Sequence, residues 1–214
     1  MAAGKLVRAA HRLQEILGED RCAVCGGVAV NAHGFLRGTR DVDVIVAFPL
    51  EEARRRLRSH GVAVRLSRGD PLQGDFPCLK GVIDVSPRGG RVEGVPFDVL
   101  PQLVPLEPER TLEITVRDRR LRVVDLETLI RLKLKAGGTS DLHDIGVLVH
   151  LQPAYKDRAQ ALAAHDPDLA RRLRSMIDDP RTRAKAREVR RHDTALRAFA
   201  AGRGRGRAAR GRER

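Results

Sequence analysis

Residues 25–46 read CGGVAVNAHGFLRGTRDVDVIV. The stretch opens on Gly26-Gly27, crosses a short amphipathic segment and closes on Asp41-Val42-Asp43 at the head of an apolar run. Successive side chains on a strand point to opposite faces, so Asp41, Asp43 and Ile45 fall on one face and Val42, Val44 and Val46 on the other. Two carboxylates side by side on a rigid element suit a hard, oxygen-seeking cation such as Mg²⁺. Just upstream, Arg21-Cys22-Ala23-Val24-Cys25 reads as a buried strand, and the glycine pair marks its passage into a helix over 27–36. Glycines there let the backbone approach a ligand closely, and the free N–H groups of a helix start hold phosphate.

Outward from this stretch, residues 4–17 carry Leu6, Val7, Ala10, Leu13, Ile16 and Leu17 at helical spacing, with Gly18 as the stop. On the other side, a helix is expected from Pro49 to about His60, then a strand over 62–66 and a loop over 69–74. Strands over 81–85 and 94–100 follow, joined by the turn-rich Pro87-Arg88-Gly89-Gly90; each holds one acid within an apolar run, Asp84 and Asp98. Strands over 112–116 and 121–124 lead to Asp125, a natural N-cap for the helix LETLIRLKLKAG, and Ser140 is the expected cap of the next, DLHDIGVLVHL. Asp141 and Asp144 then lie one turn apart on one side of that helix.

Beyond Pro153 the chain becomes Ala- and Arg-rich, with helices expected around 154–164, 167–177 and 181–199 that pack on the preceding domain. The organisation read from the sequence is a domain over 1–152, a helical region over 153–200 and a disordered Arg/Gly-rich tail over 201–214. The formal net charge is +13, of which residues 203–214, with six Arg and one Glu, hold +5. A basic surface favours a polyanion, yet Arg supplies 35 of the 41 basic residues beside abundant Ala, so part of the charge reflects compositional bias. Aromatic residues make up 3% with no Trp, which argues against base-stacking platforms. There is no apolar run of 18 residues and no secretory h-region, so the expectation is a soluble cytoplasmic protein with no membrane partner. Cys22 and Cys25 form a C-x-x-C, but Cys78 is the only other thiol, and core packing is the expected role.

The combination of apolar residue, Gly26-Gly27, thirteen residues and Asp41-Val42-Asp43-Val44 resembles the signature of the polymerase-β-like nucleotidyltransferases. Its continuation, LKLKAGG-x-x-DL-x-D over 132–144, resembles a second motif of the stand-alone, minimal enzymes related to the abortive-infection toxin AbiEii. Together the two blocks cover about residues 20–150. The resemblance implies an α/β (α+β) nucleotidyltransferase fold: a small mixed sheet flanked by helices, with further helices C-terminal. It implies transfer of a nucleoside monophosphate from an NTP to an acceptor hydroxyl, with two Mg²⁺ ions and release of pyrophosphate. In that reading Asp41, Asp43 and Asp98 are the catalytic, metal-binding carboxylates, with Asp84 as the alternative third acid. Gly26, Gly27, Arg40, Lys133, Asp141 and Asp144 bind the nucleotide. His33 is a weaker candidate for phosphate, and a structural role fits it as well. One departure is that Ala136-Gly137-Gly138 stands where relatives commonly show Ala-Gly-Arg, so a basic contact is missing there. The acceptor stays open among tRNA, as for a toxin-like enzyme held in check by an antitoxin or other partner protein, a protein, and a small molecule. The alternative function is a non-catalytic nucleic-acid-binding protein that retains the fold.

Overall fold

The computed structural model describes residues 2–69, 76–86, 93–116 and 118–193. The expected loop beyond Gly69, the turn at 87–90 and the Arg/Gly-rich tail lie outside the described residues. The chain begins with α1 (Ala2–Leu17), β1 (Cys22–Cys25), α2 (Gly26–Ala32), β2 (Val42–Val46) and α3 (Leu50–Ser59). Five further strands follow: β3 (Val64–Ser67), β4 (Cys78–Asp84), β5 (Gly94–Leu100), β6 (Thr111–Val116) and β7 (Arg119–Val124). The remaining elements of the described residues are helices: α4 (Leu126–Ala136), α5 (Thr139–Leu151), α6 (Lys156–Ala163), α7 (Pro167–Asp178) and α8 over 180–193, besides short 3-10 turns. Among these described residues no helix is long and apolar enough to cross a membrane.

The strands form one mixed sheet in the order β3-β4-β5-β2-β1-β7-β6. Strand β2 runs parallel to β5, β1 runs parallel to β7, and the other neighbours are antiparallel. The expected mixed sheet flanked by helices is therefore present. Helices α1 and α3 touch each other, α1 running over β7, β2 and β1 and α3 over β3, β4 and β5, while α2 touches β1, β2 and α4. Helix α4 meets α5 and α6, and α5 meets α7, so the C-terminal helices pack on the helices that follow the sheet. All four residues of β1 are buried. Being three apart on a strand, Cys22 and Cys25 face opposite sides and cannot pair with each other. Burial pushes the Cys22 thiol up to about 12 and Cys25 well above its ordinary value, so both stay protonated.

Several boundaries differ from the sequence reading, β3 starting at Val64 and β7 at Arg119 among them, and three bear on the site. Helix α2 ends at Ala32 rather than near residue 36, because Gly34, at φ +100°, reverses the chain. That turn carries Phe35 into the core, and the Asn31 side chain clamps both backbone groups of Arg37 (2.9 and 3.0 Å). Strand β4 begins at Cys78 rather than Gly81, since Cys78 and Leu79 pair with Ser67 and Leu66. Gly81 is a mid-strand position where a Cβ would meet the Phe97 ring at 2.7 Å. Ser140 is not a cap: α5 starts at Thr139 after Gly138, with no side-chain cap bond. Asp125 does cap α4, its Oδ1 accepting from Thr128 N–H at 2.7 Å, and Gly137 ends that helix in the left-handed conformation. Asp125→Ala should therefore lower stability by about 1 kcal/mol, read as a shift in urea midpoint with unchanged slope.

Candidate active site

The sheet register draws the site. Arg65 pairs with Lys80, Lys80 with Asp98, Asp98 with Asp43, and Asp43 with Cys25, so one transverse row crosses β3, β4, β5, β2 and β1. Paired residues on neighbouring strands point to the same face, so two cations, two acids and a buried thiol line up side by side. Asp98 thus sits beside Asp43, and Lys80 Nζ lies 2.7 Å from Asp98 Oδ2. Asp41 precedes the strand on the same face and is exposed, its Oδ1 accepting from Thr39 Oγ1 at 3.0 Å. Asp84 lies apart, at the far end of β4 opposite Gly94, exposed and hydrogen-bonded to Ser86 N–H and Oγ–H. Those bonds hold its carboxyl below the usual range.

The glycine pair makes its closest contacts with this acidic strand. A Cβ on Gly26, whose φ is +56°, would stand 1.7 Å from Asp43 Oδ2. On Gly27 it would stand 2.5 Å from Thr39 Oγ1, the hydroxyl that holds Asp41. The Gly27 N–H also donates to the Asp43 carboxylate. The start of α2 is thereby pressed against both acids, which no other residue type allows. Gly26→Ala should cost about 2–4 kcal/mol, from the left-handed backbone and the overpacking together. A thermal melt checks this, and a melting temperature within a degree of wild type would contradict the packing described.

Asp43 is titrated upward, to about 6 from an ordinary 3.8, first by burial and then by the charges of Asp41 and Asp98; Lys133 and the Gly27 N–H oppose the shift. A carboxylate destabilised by burial and by neighbouring carboxylates attracts a cation. No three acids converge into a preformed metal cage among the described residues, Asp98 being paired with Lys80 and Asp41 bonded to Thr39. That donor set nevertheless fits Mg²⁺, which keeps much of its water and takes one or two carboxylates plus substrate phosphates rather than an all-protein cage.

The second sequence motif converges on the same place. Lys133 is only 5% exposed, and its Nζ lies 2.8 Å from both Asp141 Oδ1 and Asp144 Oδ2. Burial pulls its pKa down, but the two carboxylates outweigh that and the net shift is upward, so it stays charged. Asp144, 2% exposed, also receives Arg37 at 2.7 Å, which places it behind Lys133. A cavity of about 220 Å³ is lined by Gly26, Asp43, Lys80, Asp98, Lys133 and Asp141 together with Cys25, Phe76, Leu100, Leu103, Leu129 and Leu132. Asp144 does not line it, and exposed Arg40 lines neither this cavity nor its neighbour beside Asp41. His33 is bound to the fold, its Nε2 being 2.9 Å from Val124 O, and burial lowers its pKa. Lys80, Arg37 and Thr39 carry parts of the site that the sequence reading did not assign. A single Lys inside the strand CLKGVID was the available signal for Lys80.

The mixed sheet and its flanking helices have the nucleotidyltransferase-like fold. The chain is similar in structure to an antigenic nucleotidyltransferase-like protein from Paracoccidioides brasiliensis, with a TM-score of 0.51 and 16% identity over 85% of this chain and 98% of that one. A weaker likeness is to JHP933 from Helicobacter pylori, at a TM-score of 0.39 and 11% identity over 91% of this chain and 97% of that one. No protein-family model and no curated protein matches the sequence.

Proposed function

We propose that the protein is a nucleotidyltransferase, moving a nucleoside monophosphate from an NTP to an acceptor hydroxyl and releasing pyrophosphate. The observation that carries this reading is the in-register pairing of Asp43 with Asp98, beside Asp41, in a cavity that Lys133 also lines. Asp41, Asp43 and Asp98 would supply the one or two carboxylates that each Mg²⁺ takes beside substrate phosphate, and the ion when bound neutralises triphosphate charge and makes the acceptor hydroxyl easier to deprotonate. Lys133 and the backbone at Gly26 would face the phosphates, the Gly27 N–H being turned to Asp43, and Phe76, Leu129 and Leu132 would offer an apolar wall to the base. Asp141 and Asp144 aim Lys133, and Arg37 holds Asp144.

The acceptor oxygen bonds to the α-phosphorus as the bond to the bridging oxygen breaks, its electron pair leaving on pyrophosphate. The hydroxyl proton passes to Asp98 and on to solvent. Lys80, at 2.7 Å, keeps that carboxylate in place. Catalysis here is positioning and electrostatics rather than covalent chemistry. A toxin-like action on tRNA is one acceptor this reading allows.

The test offers each of the four α-labelled NTPs with Mg²⁺ to the full chain, in the presence of total RNA and cell extract. Label should move to an acceptor with the wild type and not with Asp98→Ala. Absence of transfer to every acceptor would favour the non-catalytic nucleic-acid-binding reading.

A further inference from the structure

The charged row continues past the nucleotide cavity. A second groove, of about 710 Å³, lies along the same face of the sheet. Lys80 and Asp98 line both spaces, whereas Gly26, Asp43 and Lys133 line only the first, and Asp41 and Arg65 only the second. The Lys80–Asp98 pair is thus a partition between two compartments. In-line displacement brings the acceptor oxygen to the α-phosphorus from the side opposite the leaving pyrophosphate. With the triphosphate lying toward Gly26 and Lys133, that side is the second groove.

The walls of the groove state what it takes. Arg65 and Lys80 are paired across β3 and β4, and the next pair on this face is Val82 with Pro96. Arg65 and Pro96 are exposed, and Val82 is 59% exposed, an apolar step beside two cations. Two strand spacings, about 10 Å, separate the backbones of Arg65 and Asp98. Their side chains rise from the same face of the sheet, so one ligand can reach both. Guanidinium groups bind phosphate oxygens by paired hydrogen bonds, and sugars or bases rest on apolar surface.

We propose that this groove is the acceptor subsite and that it selects a phosphate-bearing acceptor, with Arg65 binding the phosphate and Val82 and Pro96 supporting the sugar or base while Asp98 faces the hydroxyl. The proposal rests on the nucleotidyl-transfer reading. Its acceptor is either the end of a polynucleotide or a small phosphorylated hydroxyl compound, and the experiment separates these.

The full chain, Mg²⁺ and α-labelled NTP are offered three acceptor sets: bulk tRNA, a mixture of nucleoside 5′-monophosphates, and nuclease-treated, desalted cell protein. Transfer is expected to one of the first two. Arg65→Glu should then raise the acceptor KM at least tenfold while leaving kcat at saturating acceptor and NTP affinity unchanged. Where tRNA is the acceptor, Arg65→Gln should reduce the salt dependence of its binding by about one unit of log–log slope. Val82→Glu, at an exposed position that does not threaten folding, should repeat the KM effect. Transfer to protein alone, or an unchanged KM in both Arg65→Glu and Val82→Glu, overturns the proposal and leaves nucleotidyl transfer standing. Absence of NTP binding, or of transfer to any of the three sets, overturns both.

Discussion

Asp43→Asn should make the protein more stable at pH 8 while reducing nucleotidyl transfer by about 10³-fold. The stability arm follows from linkage. The Asp43 carboxyl is raised from 3.8 to about 6, chiefly by burial and then by Asp41 and Asp98, so the folded state binds its proton more tightly than the unfolded chain does. The stability contributed by that proton is fully present below pH ~4 and lost as pH rises through ~6. Above that, ionised Asp43 weakens the fold by on the order of 3 kcal/mol, which the neutral amide avoids. Urea midpoints at pH 4 and pH 8 check this: the variant should gain at pH 8 and match wild type near pH 4. A loss of stability at pH 8 would show that Asp43 is a structural carboxylate rather than one held under electrostatic strain for chemistry.

Lys133→Met should be the most destabilising of the conservative-volume changes around the site. Its ammonium sits 2.8 Å from both Asp141 and Asp144, and Asp144 is 2% exposed. Removing one partner of a buried ion pair costs about 3–5 kcal/mol because the remaining charge stays buried. Arg37 at 2.7 Å still faces Asp144, which places the loss at the lower end of that range. For a chain of this length the melting temperature should fall by about 6–12 °C. Combining it with Asp144→Asn should recover a substantial part of the stability and none of the transfer. If the single change leaves the melting temperature unaltered, Lys133 is not the centre of the network.

The local parts of this account were legible in the sequence. The pairing of Lys133 with Asp141 and Asp144 crosses the break between α4 and α5 at Gly137-Gly138 and was not among them, but the nearness of Gly26-Gly27 to Asp41-Val42-Asp43, and that of Asp141 to Asp144 one turn apart on α5, are local arrangements. Such arrangements depend on backbone periodicity, which the chain displays directly. The choice between Asp84 and Asp98 depended on register, because both sit in strands with similar apolar flanks. Only the pairing of Asp43 with Asp98, 55 residues apart, separates them. Lys80 and Arg65 escaped notice for the same reason: their meaning comes from lying in one row with Asp98, and no local pattern encodes a row across five strands. Arg37 reaches Asp144 across 107 residues, while nearby Arg40, which the sequence favoured, stays exposed. The α2 boundary was missed because Gly34 and the Asn31 clamp on Arg37 overrode a helical pattern that ran on through Phe35.

The most direct measurement runs two labels in parallel. One reaction uses NTP labelled at the α-phosphate and the other NTP labelled at the γ-phosphate, each with Mg²⁺, RNA and cell extract. Nucleotidyl transfer predicts that the α-label becomes attached to an acceptor while an equal amount of γ-label is released as pyrophosphate, both lost in Asp43→Asn. A γ-label that appears on the acceptor, or leaves as inorganic phosphate with the α-label still in nucleoside diphosphate, would mean that the carboxylate row performs phosphoryl transfer or hydrolysis instead.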